Sequence, residues 1–308
     1  MSTRDRLLST TILTSISAIF ISMISASAAD MYTKAPVDAS VSRPAVDGFN
    51  WKLSGLGGSM GDRAVGGAQG SFSIPLDHQF GLQFDGATGT FDRRFFGAGA
   101  AHLFMRDPAQ GLVGLYASHT YWNEIGGLHV TQFAGEGAAY LGRFTLQGIA
   151  GVEFGNSQSV VTGVSVTPPT TTTFSESYDI KTRFFDKIDL AYYVTDDAKV
   201  FVGHRYLGGK NALALGGELA LPSTDQTKWA AFLEGRAGEG DFHGIWGGIR
   251  VYWGQSSKSL IARQREDDPN NYLPETLFSI TNSQTQSSTS TITPDGDGDC
   301  DGDADGDC

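Results

Sequence analysis

The densest chemistry in this chain lies at its C-terminus. The stretch "PDGDGDCDGDADGDC" sets Asp297, Asp299 and Asp301 at alternate positions before Gly302, then repeats with Asp301, Asp303 and Asp305 before Gly306. Carboxylates at that spacing, with a glycine to turn the loop sharply, are what a hard cation such as Ca²⁺ requires. No Glu closes the loop at its twelfth position, however, and no flanking helix is visible. Seven aspartates between 295 and 307 also describe a self-repelling, solvated tail, so both readings stand. Cys300 and Cys308, the only cysteines, fall in the same stretch and could close a disulfide in an oxidising compartment.

Nucleophilic chemistry is poorly provided for. A Ser–His pair acting from one strand face needs the two residues at alternate positions. None of the six histidines (His78, His102, His119, His129, His204 and His243) has Ser two residues on. Ser118 and His119 are adjacent and so point to opposite sides of a strand. The glycine-rich run "GDRAVGGAQG" is not followed by a helix that could cradle phosphate. No catalytic residue is expected, and a hydrolase is the least favoured function. A net charge of −12 argues against nucleic acid as a partner.

The elements that must hold these residues are almost all strands. "MSTRDR" precedes an apolar run ending at Ala26-x-Ala28, the form of a cleaved signal peptide over 1–28. A leader over 29–48 follows. From 49 to 254, twelve alternating segments can be laid down, near 49–59, 65–76, 79–90, 94–106, 111–123, 128–141, 143–155, 180–195, 198–208, 211–222, 228–238 and 242–254. The pattern is plain in "KIDLAYYVTDDAKVFVGHRYLGG", where Ile188, Leu190, Tyr192 and Val194 alternate with Lys187, Asp189, Ala191 and Tyr193. A four-residue turn separates them from Val200, Val202, His204 and Tyr206. Every second connection is short, which puts short turns on one side of the sheet. The long connection, Asn156–Asp179, reads as an external loop because of Pro168, Pro169 and four successive threonines.

Period two does not say which face meets lipid. A barrel of about eight strands can be filled by its own side chains, but twelve leave a wide interior. The apolar face, rich in small residues, could not fill it, so that face is expected outward against hydrocarbon. Trp229, Trp253, Tyr192 and Tyr206 at strand ends suit interfacial girdles. The fold expected is an all-β, closed antiparallel transmembrane barrel of twelve strands, with eight or ten as alternatives. The opposite face then lines the bore with Asp85, Glu136, Glu153, Arg183, Lys187, Asp189, Arg205, Glu218, Glu234, Arg236 and Arg250. Their nearly balanced signs argue against strong ion selectivity. Dry burial of so many ions is costly, so the bore is expected to be wet or densely ion-paired. Residues 255–294, mixed in charge and then rich in Ser and Thr, read as a linker to the acidic tail over 295–308. Arg263 and Arg265 beside Glu266, Asp267 and Asp268 leave a second reading, in which this stretch docks a partner or plugs the bore.

The strand–turn–strand repeats and the stretch "ADMYTKAPV" leading to "FNW" at Phe49–Trp51 resemble outer-membrane β-barrel proteins of alphaproteobacteria, of the porin-like and OmpA-like type. The likeness covers roughly residues 1–254. It implies an outer-membrane location and passive transport, and it carries over no catalytic residue. The Asp-rich tail likewise resembles the calcium repeats of extracellular modules. The expected function is a non-enzymatic diffusion channel or envelope-integrity protein, with lipids, small hydrophilic solutes and further copies of the chain as partners. The alternative is a surface binding or adhesion barrel with a closed lumen. The tail is expected on the periplasmic side.

Overall fold

The computed structural model describes residues 43–222, 227–254, 258–267 and 269–292. The signal peptide, most of the leader, the Asp-rich stretch and both cysteines lie outside the described residues.

Twelve antiparallel strands close into one barrel. They are β1 (Asn50–Met60), β2 (Arg63–Pro75), β3 (Phe80–Phe91), β4 (Arg94–Asp107), β5 (Gly111–Trp122), β6 (Leu128–Leu141), β7 (Phe144–Gly155), β10 (Arg183–Thr195), β11 (Ala198–Leu207), β12 (Lys210–Ala220), β13 (Thr227–Gly238) and β14 (His243–Trp253). Closure comes from β1 pairing with β14, where Trp51 lies opposite Trp253 and the two indoles stack at 4.1 Å. Each neighbour in the ring pairs through an unbroken antiparallel register or one with a single shift, so no barrel edge is left open.

The alternation resolves into two faces. Leu53, Phe84, Leu103, Leu115, Leu215 and Ile249 stand exposed on the outside, while Lys187, Asp189, Arg205 and Glu218 are buried within. An exterior this apolar around a closed backbone suits hydrocarbon, which tolerates no unpaired backbone groups. Aromatic rings sit at both outer margins: Trp51, Trp253 and Trp229 lie at the end where β1 begins, with Tyr192 tilted against Phe144 at 4.7 Å. Tyr206 stacks on Phe184 toward the other end. No helix among the described residues is long and apolar enough to cross a membrane.

Three sequence expectations are overturned. The stretch Asn156–Asp179 is not a loop but a hairpin of β8 (Ser157–Thr167) and β9 (Thr170–Asp179), turning at Pro168–Pro169. Its Val and Thr residues favour extended backbone, and the prolines only mark the tip. The rhythm of short turns on one side does not hold either. At the hairpin end of the barrel, Gly61–Asp62, Asp92–Arg93 and Gly208–Gly209 are two-residue turns as tight as those at the opposite end.

The third correction is the largest. Residues 258–267 and 269–283 are not a linker; they run through the bore. The chain enters beside Trp253 as α1 (Leu260–Glu266), passes a single 3₁₀ turn at Pro274–Thr276, and continues as α2 (Leu277–Thr281). It then leaves at the far end as β15 (Gln284–Ile292), which pairs antiparallel with β9 to complete a three-stranded sheet. Ile292 lies opposite Thr170 at the hairpin tip. Ile292, the last described residue, therefore lies at the hairpin end and not at the end where Trp253 stands; the tail expected over 295–308 lies outside the described residues.

Candidate functional site: the occupied bore

All eleven charged positions expected in the lumen lie on the inner face, and the inserted segment divides them into levels. At the mouth beside Trp253, α1 is held by the turn between β10 and β11. Asp197 accepts from the Leu260 amide at 3.0 Å, and the Ile261 amide donates to the Asp196 carbonyl. Burial opposes the charge on Asp197, but Lys228 and the Leu260 amide outweigh it and hold the carboxyl below its ordinary range. Lys258 joins Asp47, Glu266 and Asp267 at 2.6–3.0 Å, and Ala45 and Val46 are fully buried. Residues 43–48 thus help to stop this mouth. Gln264 then bridges the wall, accepting from Tyr193 and Lys199 and donating to Glu218.

At mid-height the bore has two different walls. On one, His102 sits between Asp85 at 3.1 Å and Glu136 at 2.7 Å, fully buried. On the other, Arg205 and Arg236 converge on Glu275 of the inserted segment. Arg205 reaches it through Nε and Nη2 at 2.5 and 3.2 Å, and Arg236 through Nη2 and Nε at 2.5 and 3.2 Å. Each arginine keeps a carboxylate of its own wall as well: Asp189 for Arg205 and Glu234 for Arg236. Two forked guanidiniums on one carboxylate give directional, charge-assisted bonds that fix the segment's height. Lys187 donates to the Tyr272 carbonyl, and Lys52 to the Pro269 carbonyl. Arg250 pairs with Glu218 lower down.

Toward the hairpin end the bore is apolar. Leu273, Leu277, Phe278 and Ile280 are buried among inward-facing Phe91, Phe96, Trp122, Phe185, Phe242 and Trp246. Phe278 meets Phe242 and Trp246 at 4.7 and 6.2 Å between ring centres. At this level Glu153 accepts from Ser279 and from the Gly208 amide, and Arg183 reaches Ser283. Gly208 has φ +61, and a Cβ there would stand 2.5 Å from that of Asn282. Only glycine lets the segment pass so close.

Among the described residues, two voids within the bore measure about 40 and 30 Å³. The smaller lies beside Arg106 and Glu136, whose Nε, Nη2 and Oε1 lack protein partners. Each void has room for about two or three waters, so neither makes a path through the barrel. A wide, wet lumen is therefore not what the chain builds.

Sequence reasoning missed Lys52, His102, Arg106 and Lys199 as lining residues. Parity alone could have found them, since Lys199 is in phase with Arg205, and His102 and Arg106 are in phase with each other. It also missed Glu275, for which parity offers no signal. Of the other histidines, His119 donates to or accepts from Thr131 and packs on His129 outside the barrel, and His204 pairs with Asp186. His78 lies in a turn, and His243 begins β14 beside Asp62.

No protein family matches the sequence, and no curated protein does. Among solved structures, the chain is similar to an outer-membrane channel from Pseudomonas putida F1, at 9% identity and TM-score 0.42, covering 71% of this chain and 99% of that one. It is also similar to the translocator domain of the autotransporter NalP from Neisseria meningitidis, at 10% identity and TM-score 0.42, covering 80% and 97%. A third is the outer membrane protein Omp33 of Acinetobacter baumannii, at 12% identity and TM-score 0.32, covering 67% and 97%.

Proposed function

We propose that this chain is a non-enzymatic outer-membrane barrel with a closed bore, which threads its own C-terminal segment outward and presents a surface for binding. The observation that carries this reading is Glu275, buried and clamped by Arg205 and Arg236 from the wall. A diffusion channel would leave those guanidiniums to water and passing solutes. Here they hold a piece of the same chain, and the apolar plug of Leu277, Phe278 and Ile280 seals the level above. The apolar belt supports a membrane location, with lipid as the outer partner. The hairpin end is then the external one. Porin-like transport becomes the second reading, open only when residues 258–283 leave the bore.

Conductance in planar bilayers tests this. Full-length protein is expected to be silent, and a chain ending at Gly254 is expected to give stable steps. Because such a deletion could fail to fold, Glu275→Arg in the full chain provides a second arm: it opposes Arg205 and Arg236 with a like charge and is expected to conduct. Stable steps from the unaltered full-length chain would contradict the closed-bore reading.

A further inference from the structure

On the outer face of the barrel, strands β3 to β6 stack their outward residues in level rows. One row runs Phe84, Ala101, Ala117, Phe133, so a phenyl ring stands on either side of an alanine floor. The row below it, toward the Trp253 end, runs Leu82, Leu103, Leu115, Gly135. Between Leu82, Leu103, Leu115 and Phe133, over Ala101 and Ala117, lies an apolar groove of about 330 Å³. The two rows above, toward the hairpin end, run Gly86, Gly99, His119, Thr131 and then Thr88, Gly97, Tyr121, His129. A Cβ on Gly86 would meet nothing within 4 Å, and one on Gly99 only a backbone oxygen at 3.8 Å. The floor therefore stays low as it rises beside the histidines.

The polar end of this groove is a pair of imidazoles. His119 and His129 lie ring to ring at 5.4 Å, and His119 Nδ1 meets the Thr131 hydroxyl at 2.9 Å. His129 Nδ1 is buried without a partner. Neither Nε2 makes a hydrogen bond among the described residues. No carboxylate, lysine or arginine occupies any of the four rows. Neutral donors with no acid among them, set at the margin above an apolar trough, match the two ends of an acylated lipid.

We propose that this groove seats an acyl chain of a phosphorylated glycolipid, with phosphate oxygens on the Nε2 hydrogens of His119 and His129. Thr131 then donates to His119 Nδ1, which leaves that ring's hydrogen on Nε2. A buried Nδ1 with no acceptor keeps the hydrogen of His129 on Nε2 as well. The small floor residues let the chain lie close to the backbone, and close packing is what joins apolar surfaces where exclusion of water supplies no drive. The choice of a glycolipid over a diacyl phospholipid rests on the reading of the hairpin end as external, because phosphorylated glycolipid belongs to the outer leaflet.

The test is native mass spectrometry of full-length protein in detergent, with EDTA present so that no divalent cation bridges phosphate to the histidines. Phosphorylated lipid A, its dephosphorylated form and phosphatidylglycerol are offered in turn. Phosphorylated lipid A is expected to be held at least about ten-fold more tightly than the dephosphorylated form, the worth of one charge-assisted hydrogen bond. His119→Ala combined with His129→Ala should abolish that preference. Ala117→Leu fills the floor and should lower retention of both forms. All three substitutions change outward residues only, so folding is checked simply by unboiled migration on gels. Equal retention of the two forms by the parent, a preference that survives loss of both histidines, or retention unchanged in Ala117→Leu would overturn the proposal. Phosphatidylglycerol held as tightly as lipid A would overturn it too. Cleavage of the β8–β9 hairpin by protease added to intact cells tests the orientation by itself. Conductance of the same preparation tests the closed bore by itself: channel steps reject that bore and leave the groove standing, while silence without lipid preference rejects only the groove.

Discussion

The two walls of the bore solve the same problem in different ways. The wall of β3, β4 and β6 pairs its charges within itself, with His102 between Asp85 and Glu136 and, among the described residues, no hydrogen bond from this trio to the inserted segment. The wall of β10, β11 and β13 brings Arg205 and Arg236 to a place where their own carboxylates, Asp189 and Glu234, leave donor capacity unspent. Glu275 takes it up. The ion pairs of one wall close within the barrel; those of the other close only with the C-terminal segment inside. A bore designed for solute passage would have no need of that asymmetry.

Breaking the addressed wall should have the largest effect. Removing one partner from a buried ion pair costs about 3–5 kcal/mol, and reversing its sign costs more. Glu275→Arg is therefore expected to unseat the segment, read as new protease cleavage at Arg263 and Arg265 in intact membranes while the barrel still migrates as folded on unboiled gels. Phe278→Ala strikes the apolar seal above the clamp. Loss of a buried Phe side chain costs about 3–5 kcal/mol, so the same cleavage should appear, to a lesser degree because Glu275 still holds.

The self-completed wall makes the opposite prediction. His102→Ala leaves two buried carboxylates without their shared partner, at about 1–3 kcal/mol for each unsatisfied group. Barrel melting should fall while the segment stays seated and protected. If His102→Ala released the segment as readily as Glu275→Arg, the distinction between the walls would be lost.

The smallest effect is at the mouth. Asp197, held below the ordinary carboxylate range, contributes only above its unfolded pKa, and its contribution is lost as pH falls through the lowered folded value. Loosening of α1 should thus begin only in acid. Asp197→Asn, at a half-exposed site, should shift protection by under about 1 kcal/mol and abolish that acid dependence.

The barrel was legible because strand pairing imposes a period of two that any mixed surface must obey. The segment expected at 180–195 differs from β10 only at its start, where Ile180 and Lys181 serve the hairpin's return rather than the ring. The inserted segment was not legible for the same reason in reverse. It has no sustained period, and Pro269 and Pro274 break it into short pieces whose only regularity is the wall they meet. Glu275 looks like any linker carboxylate until Arg205, seventy positions away, is brought against it. Arg263 and Arg265 beside their acidic neighbours did raise the idea of a plug, but charge pattern alone does not distinguish an ion pair made inside a barrel from one made in water.

Occupancy of the bore is most directly tested by a covalent bond across it. Thr276 of the inserted segment and Thr120 of β5 touch through their hydroxyls at 2.5 Å. In a chain carrying Cys300→Ser and Cys308→Ser, the pair Thr120→Cys and Thr276→Cys should oxidise to a disulfide in isolated outer membranes. Reduction should then reverse the mobility shift seen on a denaturing gel. Failure of the two cysteines to join under oxidising conditions, in barrels that are folded by their unboiled migration, would contradict a bore filled by residues 258–283.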